Sequence, residues 1–306
     1  MLRFVRSSAD PLAGQFLQGS ELLAWRHRML AAGGTAAELD WLLELGGGLG
    51  WRQLQELRLW PERPLALMQP LGRLEQLWLR HRGTAEPLQY LVGRCPWRDL
   101  DLAVAPGVLI PRQETELLVD LALELAPAGP AAALHWADLG TGSGCLAIAL
   151  ALALPAARGF AVEASGEALE QAAANLARAG VGDRCTLLRS DWWTALEPWW
   201  GSLDLVVSNP PYIPSSLLPG LEPVVRDHEP ALALDGGPDG LAALRSIVAT
   251  APQALAPGGV LLLEHHHDQS QAVLDLLAAA GLERGCAHRD LEGVLRFASA
   301  RRPCLR

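Results

Sequence analysis

The sequence of 306 residues contains no lysine, so all of its 25 basic residues are arginine. A Schiff-base enzyme needs a lysine amine to bond its carbonyl substrate, and a Walker A loop needs a lysine beside the β- and γ-phosphates. Cysteine is also scarce, and no two of the five cysteines form a C-x-x-C pair. The sequence therefore excludes both lysine chemistries and indicates neither a zinc site nor a disulfide framework.

Long apolar runs are missing as well. The longest extends from Cys145 to Leu154 and stops at Pro155, whereas a membrane span needs about 20 apolar residues. This run predicts a buried helix and no association with a membrane. At the N-terminus, Arg3 and Arg6 are not followed by the apolar stretch of a secretion signal. We therefore expect a cytoplasmic protein.

The net charge of -9 is unevenly distributed along the chain. Residues 1–85 contain 10 Arg and 8 acidic residues, whereas the remainder contains 15 Arg and 26 acidic residues. A nucleic-acid binder usually needs a basic surface that replaces counterions along the phosphate backbone. Nucleic acid is thus not expected as a partner, and we expect a protein or small-molecule substrate and a monomeric enzyme.

Two domains are expected from the length and the hydrophobic pattern. Residues 1–85 show helical periodicity, with a capping box from Thr35 to Glu38, and predict a small helical bundle. Five tryptophans on its apolar stripes are expected in the core: Trp25, Trp41, Trp51, Trp60 and Trp78. Residues 86–306 begin with a linker and a short strand or hairpin arm at 97–104, and then alternate strand and helix.

Seven strands are predicted in this second part, with helices rich in Ala and Leu between most of them. This alternation predicts an α/β fold with a mainly parallel sheet covered on both faces. The predicted strands are His135–Leu139, Gly159–Glu163, Cys185–Arg189, Leu203–Ser208, Val260–His265, Leu282–His288 and Val294–Ala300.

A glycine loop, Gly140-Thr141-Gly142-Ser143-Gly144, follows the first of these strands and precedes the buried helix. Glycines allow a tight turn and a close approach of the backbone to a ligand, and a helix N-terminus presents free N–H groups. Glu163 ends the next strand, where a carboxylate can accept hydrogen bonds from both ribose hydroxyls of a nucleoside. Together they predict a site for a cofactor that contains adenosine, although the glycine loop alone also fits a relaxed dinucleotide pattern.

The segment Asn209-Pro210-Pro211-Tyr212 follows an apolar strand, at the sheet edge where ligands bind in open α/β proteins. The side-chain oxygen of Asn209 and the carbonyl of Pro210 can accept both hydrogens of an NH2 group, and the ring of Tyr212 can stack against a planar group. Such acceptors would stabilise the positive charge that grows on a poorly nucleophilic nitrogen during methyl transfer. The segment therefore predicts methylation of a planar amide or amine.

These residues resemble the release factor glutamine N5-methyltransferase (PrmC/HemK) family. The resemblance covers residues 86–300, and the segment from Leu109 to Glu116 (Leu-Ile-Pro-Arg-Gln-Glu-Thr-Glu) discriminates best, because nucleic-acid amine methyltransferases share the Asn-Pro-Pro-Tyr element without it. The remaining motifs are Glu86–Gly93, the glycine loop, Ser190-Asp191-Trp192, Ser208–Ile213, and Glu229–Leu232 with Gly240 beyond it.

The resemblance implies a Rossmann-like, class I methyltransferase fold behind a helical substrate-docking domain at residues 1–85. It implies S-adenosylmethionine as the cofactor and the GGQ glutamine of class 1 peptide chain release factors as the substrate. The cofactor would contact the loop from Gly140 to Gly144, Glu163, Trp192 and Asn209, while Asn209, Pro210, Pro211 and Tyr212 would hold the glutamine amide. Three residues depart from the family pattern: Glu163 replaces Asp, Gln113 replaces Pro, and His266 replaces Gly.

Other interpretations stay open at this point. The same pocket could methylate an amine of a DNA or RNA base, the loop could bind NAD for hydride transfer, or the chain could be a catalytically silent binding module. Arg112, Glu114 and Glu116 fit either a site or an exposed helix start. A metal site at His265, His266 and His267 is not expected, because consecutive residues of a strand alternate between faces.

Overall fold

The computed structural model describes residues 14–127 and 134–304. The segment with Arg3 and Arg6 lies outside the described residues. The chain divides into two compact units, Met1–Gly93 and Arg94–Arg306. The division falls after Gly93 rather than after Ala85, because the short helix Leu88–Val92 packs with the first unit.

The first unit contains helices and one small sheet. Thr35 caps the second helix with the predicted capping box: its hydroxyl accepts from the Glu38 amide, and the Glu38 carboxylate accepts from the Thr35 amide. The sheet was not predicted, because its two antiparallel strands have only four residues each. The helices are α1 (Gly19–Ala31), α2 (Ala36–Leu45), α3 (Trp51–Glu56), α4 (Leu71–Thr84) and α5 (Leu88–Val92), and the strands are β1 (Gln15–Gln18) and β2 (Pro64–Leu67).

The expectation that all five tryptophans of this unit lie in its core is wrong for three of them. Trp25 and Trp78 are buried, with 1% and 0% exposed, but Trp41, Trp51 and Trp60 are 40%, 70% and 57% exposed. The reason for Trp60 is local: α3 ends at Glu56, so Trp60 lies in a turn and not on the helical stripe that the sequence suggested.

The second unit begins with the hairpin of β3 (Arg94–Trp97) and β4 (Leu100–Ala103) and continues as an alternation of strands and helices. The longest apolar run forms the buried helix that was predicted. The strands are β5 (His135–Leu139), β6 (Arg158–Glu163), β7 (Cys185–Arg189), β8 (Leu203–Ser208), β9 (Leu255–Glu264), β10 (Glu283–Arg289) and β11 (Leu295–Arg301). The helices are α6 (Glu116–Leu125), α7 (Cys145–Ala153), α8 (Gly166–Arg178), α9 (Pro223–Arg226), α10 (Ala242–Ala254) and α11 (Ser270–Ala279).

These strands form one seven-stranded sheet in the order β10-β11-β9-β8-β5-β6-β7. The five strands from β9 to β7 run parallel, and β11 and β10 are antiparallel additions at one edge. Hydrophobic clusters cover both faces of the sheet. The predicted α/β fold is confirmed. No described helix has the length and apolar character of a membrane span.

The strand order reverses between β5 and β8, which are neighbours although two strands separate them in sequence. In open α/β sheets the crevice for ligands lies at such a reversal, beyond the carboxyl ends of the strands. The glycine loop follows β5 and the Asn-Pro-Pro-Tyr segment follows β8. Both motifs therefore lie at the same crevice.

Candidate active site

The glycine loop turns sharply between β5 and α7. Its three glycines have φ angles of 74°, 56° and 84° at Gly140, Gly142 and Gly144, a region that side chains with a Cβ rarely adopt. The amides of Gly140 and Thr141 both donate to the carbonyl of Val162 at 2.9 Å. The loop is thus tied to the neighbouring strand β6, and Gly142 has open space beside it, with nothing within 4 Å of an added Cβ atom.

A buried carboxylate supports the loop from below. Asp138 is fully buried and accepts a hydrogen bond from the Thr141 hydroxyl at 2.6 Å. Burial raises the pKa of Asp138 to about 7, although the Thr141 hydrogen bond acts in the opposite direction. The hydrogen bond between Asp138 and Thr141 stabilises the conformation of the loop, and both side chains are buried.

Glu163 lies at the end of β6, facing the loop. Its two carboxylate oxygens accept from the amides of Gly142 and Ser165, both at 2.9 Å. A carboxylate can accept about four hydrogen bonds, so roughly half of this capacity is left for a ligand. Glu163 is largely buried, with 9% of its surface exposed.

Trp192 lies over the glycine loop. A Cβ atom added to Gly140 would lie 3.3 Å from Cζ3 of the Trp192 ring, and Trp192 has a left-handed φ of 37°. The adjacent Trp193 is instead buried and donates to the carbonyl of Ile247 at 3.1 Å. Of these two neighbours, Trp192 is the one beside the candidate cofactor site.

The geometry fits a cofactor that contains adenosine. Gly142 leaves open space beside the backbone, the Glu163 carboxylate next to the loop retains acceptor capacity, and Trp192 supplies an aromatic face. All these features belong to the second unit.

Asn209 begins the turn that follows β8, directly beside this loop. The hydroxyl of the preceding Ser208 donates to the carbonyl of Leu139, the residue before Gly140, at 2.6 Å. The two motifs therefore start from adjacent positions on neighbouring strands. The predicted proximity of the Asn-Pro-Pro-Tyr segment and the glycine loop is present in the structure.

A hydrogen-bond chain connects Asn209 to two residues that the motif analysis did not assign to the site. Asn209 Nδ2 donates to Thr115 Oγ1 at 2.9 Å, and Thr115 Oγ1 donates to Glu264 Oε2 at 2.8 Å. The Tyr212 hydroxyl donates to the other oxygen, Glu264 Oε1, at 3.1 Å. Thr115 lies within the Leu109–Glu116 motif, and Glu264 lies two residues before His266, where the sequence departs from the family pattern.

Burial shifts the pKa values of the two ionisable groups in this hydrogen-bond chain, Glu264 and Tyr212. Glu264 is 1% exposed, and burial raises its pKa to about 7, against the opposing effect of hydrogen bonds from Thr115 and Tyr212. The pKa of the Tyr212 phenol is also raised, by burial first and then by the negative charge of Glu264. Tyr212 therefore stays protonated and remains a hydrogen-bond donor.

The backbone of the Asn-Pro-Pro-Tyr segment is held at its far end as well. The carbonyl of Tyr212 accepts from Gln269 Nε2 at 3.0 Å. Gly240 packs against the same carbonyl: a Cβ atom added there would lie 2.3 Å from it, and the φ of Gly240 is 75°. This contact explains why a glycine stands at position 240.

Arg112, in the segment from Leu109 to Glu116, forms an ion pair with the buried Glu229. Arg112 Nη2 lies 2.7 Å from Glu229 Oε1, and Glu229 Oε2 accepts from the Ile110 amide at 3.2 Å. Glu114 is exposed, and Glu116 begins α6 and accepts from the Arg98 amide at 2.9 Å. Arg112 thus joins two of the resemblance motifs, whereas Glu114 and Glu116 fit the helix-start interpretation.

The three consecutive histidines follow β9, which ends at Glu264, so the argument from strand alternation does not apply to them. His266, His267 and Asp268 bring their potential ligand atoms within 4.8 Å of one another. His266 Nδ1 already lies 2.6 Å from Asp268 Oδ1. The absence of a metal site stays a prediction.

Comparison with known proteins gives the family. The family model "Methyltransferase small domain" matches residues 115–216. A release factor glutamine methyltransferase of Prochlorococcus marinus is 49% identical over 94% of this chain and 99% of its own. The proteins of the same name from Synechocystis (41%; 94% of this chain, 98% of theirs) and Gloeobacter violaceus (45%; 89% and 94%) are also similar. The chain belongs to the release factor glutamine methyltransferase family.

Proposed function

We propose that this enzyme methylates the side-chain amide nitrogen of the glutamine in the GGQ motif of class 1 peptide chain release factors. Family membership supports the reaction class and the substrate. The observation that carries the proposal is the adjacency of the two motifs, since Ser208 and Leu139, the residues that precede them, are hydrogen-bonded at 2.6 Å. A methyl group would therefore have only a short distance to cross.

S-adenosylmethionine is the cofactor, and when bound it supplies a methyl group on a positively charged sulfur. The loop from Gly140 to Gly144 would hold it through backbone groups, and Glu163 would accept from its ribose hydroxyls. Trp192 would cover its aromatic base. None of these three contacts with the cofactor needs a side chain of the glycine loop.

The acceptor side of the site addresses the weak nucleophilicity of an amide nitrogen. Asn209 Oδ1 and the Pro210 carbonyl would accept the two hydrogens of the glutamine NH2 group and stabilise positive charge that develops on its nitrogen. By analogy with an oxyanion hole of opposite sign, each well-placed group contributes roughly 2.7–4 kcal/mol. Tyr212 would align the amide plane. Once methylated, the nitrogen would be strongly acidic and would release one of its two hydrogens as a proton to solvent, so the mechanism needs no strong general base.

The first test is methyl transfer from labelled S-adenosylmethionine to a purified release factor. We expect one methyl group on the GGQ glutamine, located by mass spectrometry of the corresponding peptide. A release factor with alanine in place of that glutamine is the matched control. Absence of label on the native glutamine would overturn the proposed substrate.

Methylation of nucleic-acid bases is the competing outcome of the same assay. The acidic excess of residues 86–306 does not favour it, since that segment contains 15 Arg against 26 acidic residues. If DNA or RNA is strongly labelled and this labelling falls steeply with salt concentration, the substrate is nucleic acid and not the release factor. Preferential binding of NAD over S-adenosylmethionine in calorimetry would instead point to hydride transfer.

For the first unit we propose the docking of the release factor. Exposed apolar side chains support this role: Leu59 is 69% exposed and the adjacent Trp60 is 57% exposed. Leu59→Ala and Trp60→Ala should raise KM for the release factor and leave the affinity for S-adenosylmethionine unchanged. Leu291→Ala, at a residue 93% exposed in the second unit, is the control. Equal KM values for all these variants would contradict a docking role.

We also propose that the enzyme works as a monomer in the cytoplasm. All five cysteines are free thiols, which fits a reducing compartment. Fractionation of cells would test the location, and light scattering on the purified protein would test the assembly.

A further inference from the structure

We propose that Thr115 and Glu264 are positioning residues for methyl transfer, because they determine which end of the Asn209 amide faces the acceptor nitrogen. The inference rests on the proposed function, since it concerns the same site. Thr115 and Glu264 would not touch the reacting atoms themselves. They act through Asn209 and Tyr212, with which they share hydrogen bonds.

Three separate parts of the fold converge on this chain. Ser208 and Leu263 are partners across the parallel strands β8 and β9, so the residues that follow them, Asn209 and Glu264, emerge at the same edge of the sheet. Thr115 comes from the start of α6 and hydrogen-bonds with both. The arrangement is thus set by the sheet register and by the placement of one helix.

The direction of the hydrogen bonds follows from the chemistry of a hydroxyl. Thr115 has one hydroxyl proton, and Glu264 in its ionised form, which predominates above its pKa of about 7, can only accept, so this proton then points to Glu264 Oε2 at 2.8 Å. Thr115 then has only lone pairs for Asn209, which must present its NH2 group, as it does at 2.9 Å. A reversed Asn209 amide would place two acceptors against each other.

The direction of these hydrogen bonds determines which atom of the Asn209 amide faces the substrate. With Nδ2 bound to Thr115, Oδ1 is the end of the Asn209 amide that is left to accept a hydrogen bond from an NH2 group. An Asn209 that could rotate freely would present a donor part of the time and repel the acceptor amide. The chain therefore selects for an acceptor nitrogen that carries hydrogens.

The same carboxylate also holds the aromatic ring of the site. Glu264 Oε1 accepts from the Tyr212 hydroxyl at 3.1 Å, while the opposite end of that residue is fixed by Gln269 through the Tyr212 carbonyl. Thr115 and Glu264 are 2% and 1% exposed, so water does not compete for these hydrogen bonds. One buried carboxylate thus orients both groups that would hold the glutamine amide.

The test compares Thr115→Val, which keeps the shape but lacks the hydroxyl, with Thr115→Ser, which keeps the hydroxyl. Rates of methyl transfer to the release factor should give a kcat that falls roughly 10- to 100-fold for Thr115→Val, the size of effect that misplacement of a reacting group produces. Thr115→Ser should recover activity to within about 3-fold of the parent, and the Kd for S-adenosylmethionine should stay the same in both variants. Thr186→Val, at an exposed position of β7, is the matched control.

Coupling between the two residues provides the second measurement. Glu264→Gln offers one acceptor oxygen to two donors, so it should also lower kcat, and the double variant should lose little more than the worse single variant. Additive losses, equal losses for Thr115→Val and Thr115→Ser, or full activity of Thr115→Val would each overturn the proposal. If Thr115→Val does not bind the cofactor, the kcat of Glu264→Gln tests the proposal instead: a lowered kcat supports it, and an unchanged kcat overturns it. An inactive parent enzyme would instead count against the proposed function.

Discussion

The Ser208 hydroxyl donates to the carbonyl of Leu139 at 2.6 Å and thereby joins the two residues that precede the two site motifs. Both residues are buried, and their strands are parallel neighbours. Because Gly140 and Asn209 follow them directly, a small movement of either strand would change the distance between donor and acceptor sites. The sheet itself, rather than a mobile loop, sets this distance.

Replacement of Asn209 should separate catalysis from cofactor binding. Asn209→Ala removes both the proposed acceptor oxygen and the hydrogen bond to Thr115, so we expect kcat to fall about 10²- to 10³-fold. The Kd for S-adenosylmethionine, measured by calorimetry, should change little, because the loss of the one contact expected from Asn209 leaves the glycine loop, Glu163 and Trp192 in place. Normal activity in Asn209→Ala would favour the catalytically silent binding module.

Replacement of Glu163 should have the opposite pattern. In Glu163→Gln only one side-chain oxygen is left for the amides of Gly142 and Ser165, and the charge that would hold the ribose is lost. We expect the Kd for S-adenosylmethionine to rise roughly 10- to 100-fold, the equivalent of one hydrogen bond to a charged group. Glu170→Gln, at an exposed position of α8, is the control, and an equal Kd for the two variants would remove Glu163 from the cofactor site.

A methyl group at position 240 should disturb the Asn-Pro-Pro-Tyr segment from behind. In Gly240→Ala the added Cβ would lie 2.3 Å from the Tyr212 carbonyl and 2.5 Å from Gln269 Nε2, on a backbone with φ 75°. We expect a loss of about 1–3 kcal/mol in the free energy of unfolding and a reduced kcat. Gly182→Ala, where an added Cβ meets nothing within 4 Å, is the control. Equal stability of the two variants by urea unfolding would argue against tight packing behind Tyr212.

The sequence predicted three strands closely because their signal is local. His135–Leu139, Cys185–Arg189 and Leu203–Ser208 have the predicted bounds. The first and the last are short apolar runs that end in turn residues, as expected for strands buried on both faces, whereas Cys185–Arg189 is the edge strand and has only Cys185 buried. The small sheet of the first unit has no comparable signal, because strands of four residues with one buried face contain too few apolar positions.

The site could be predicted only in part, for a related reason. Residues within a motif are close in sequence, so Gly140 to Gly144 and Asn209 to Tyr212 could be recognised together. Thr115 is 149 residues from Glu264 and 94 from Asn209, and their contact depends on the register of β8 and β9. No local pattern contains that information, and the hydrogen-bond chain is visible only in the folded unit.

The raised pKa of Glu264 should make stability depend on pH with a defined sign. Burial raises this pKa from 4.5 to about 7, so the folded state binds the proton more tightly than the unfolded state does. The stability that this proton contributes is fully present below pH 4.5 and is lost as the pH rises to about 7, with a slope of at most about 1.4 kcal/mol per pH unit. Asp138 contributes in the same direction, so the parent must be compared with Glu264→Gln by urea unfolding at several pH values. Between pH 4.5 and about 7 the variant should lose less free energy of unfolding than the parent. Parallel curves of unfolding free energy against pH would show that Glu264 does not titrate in this range.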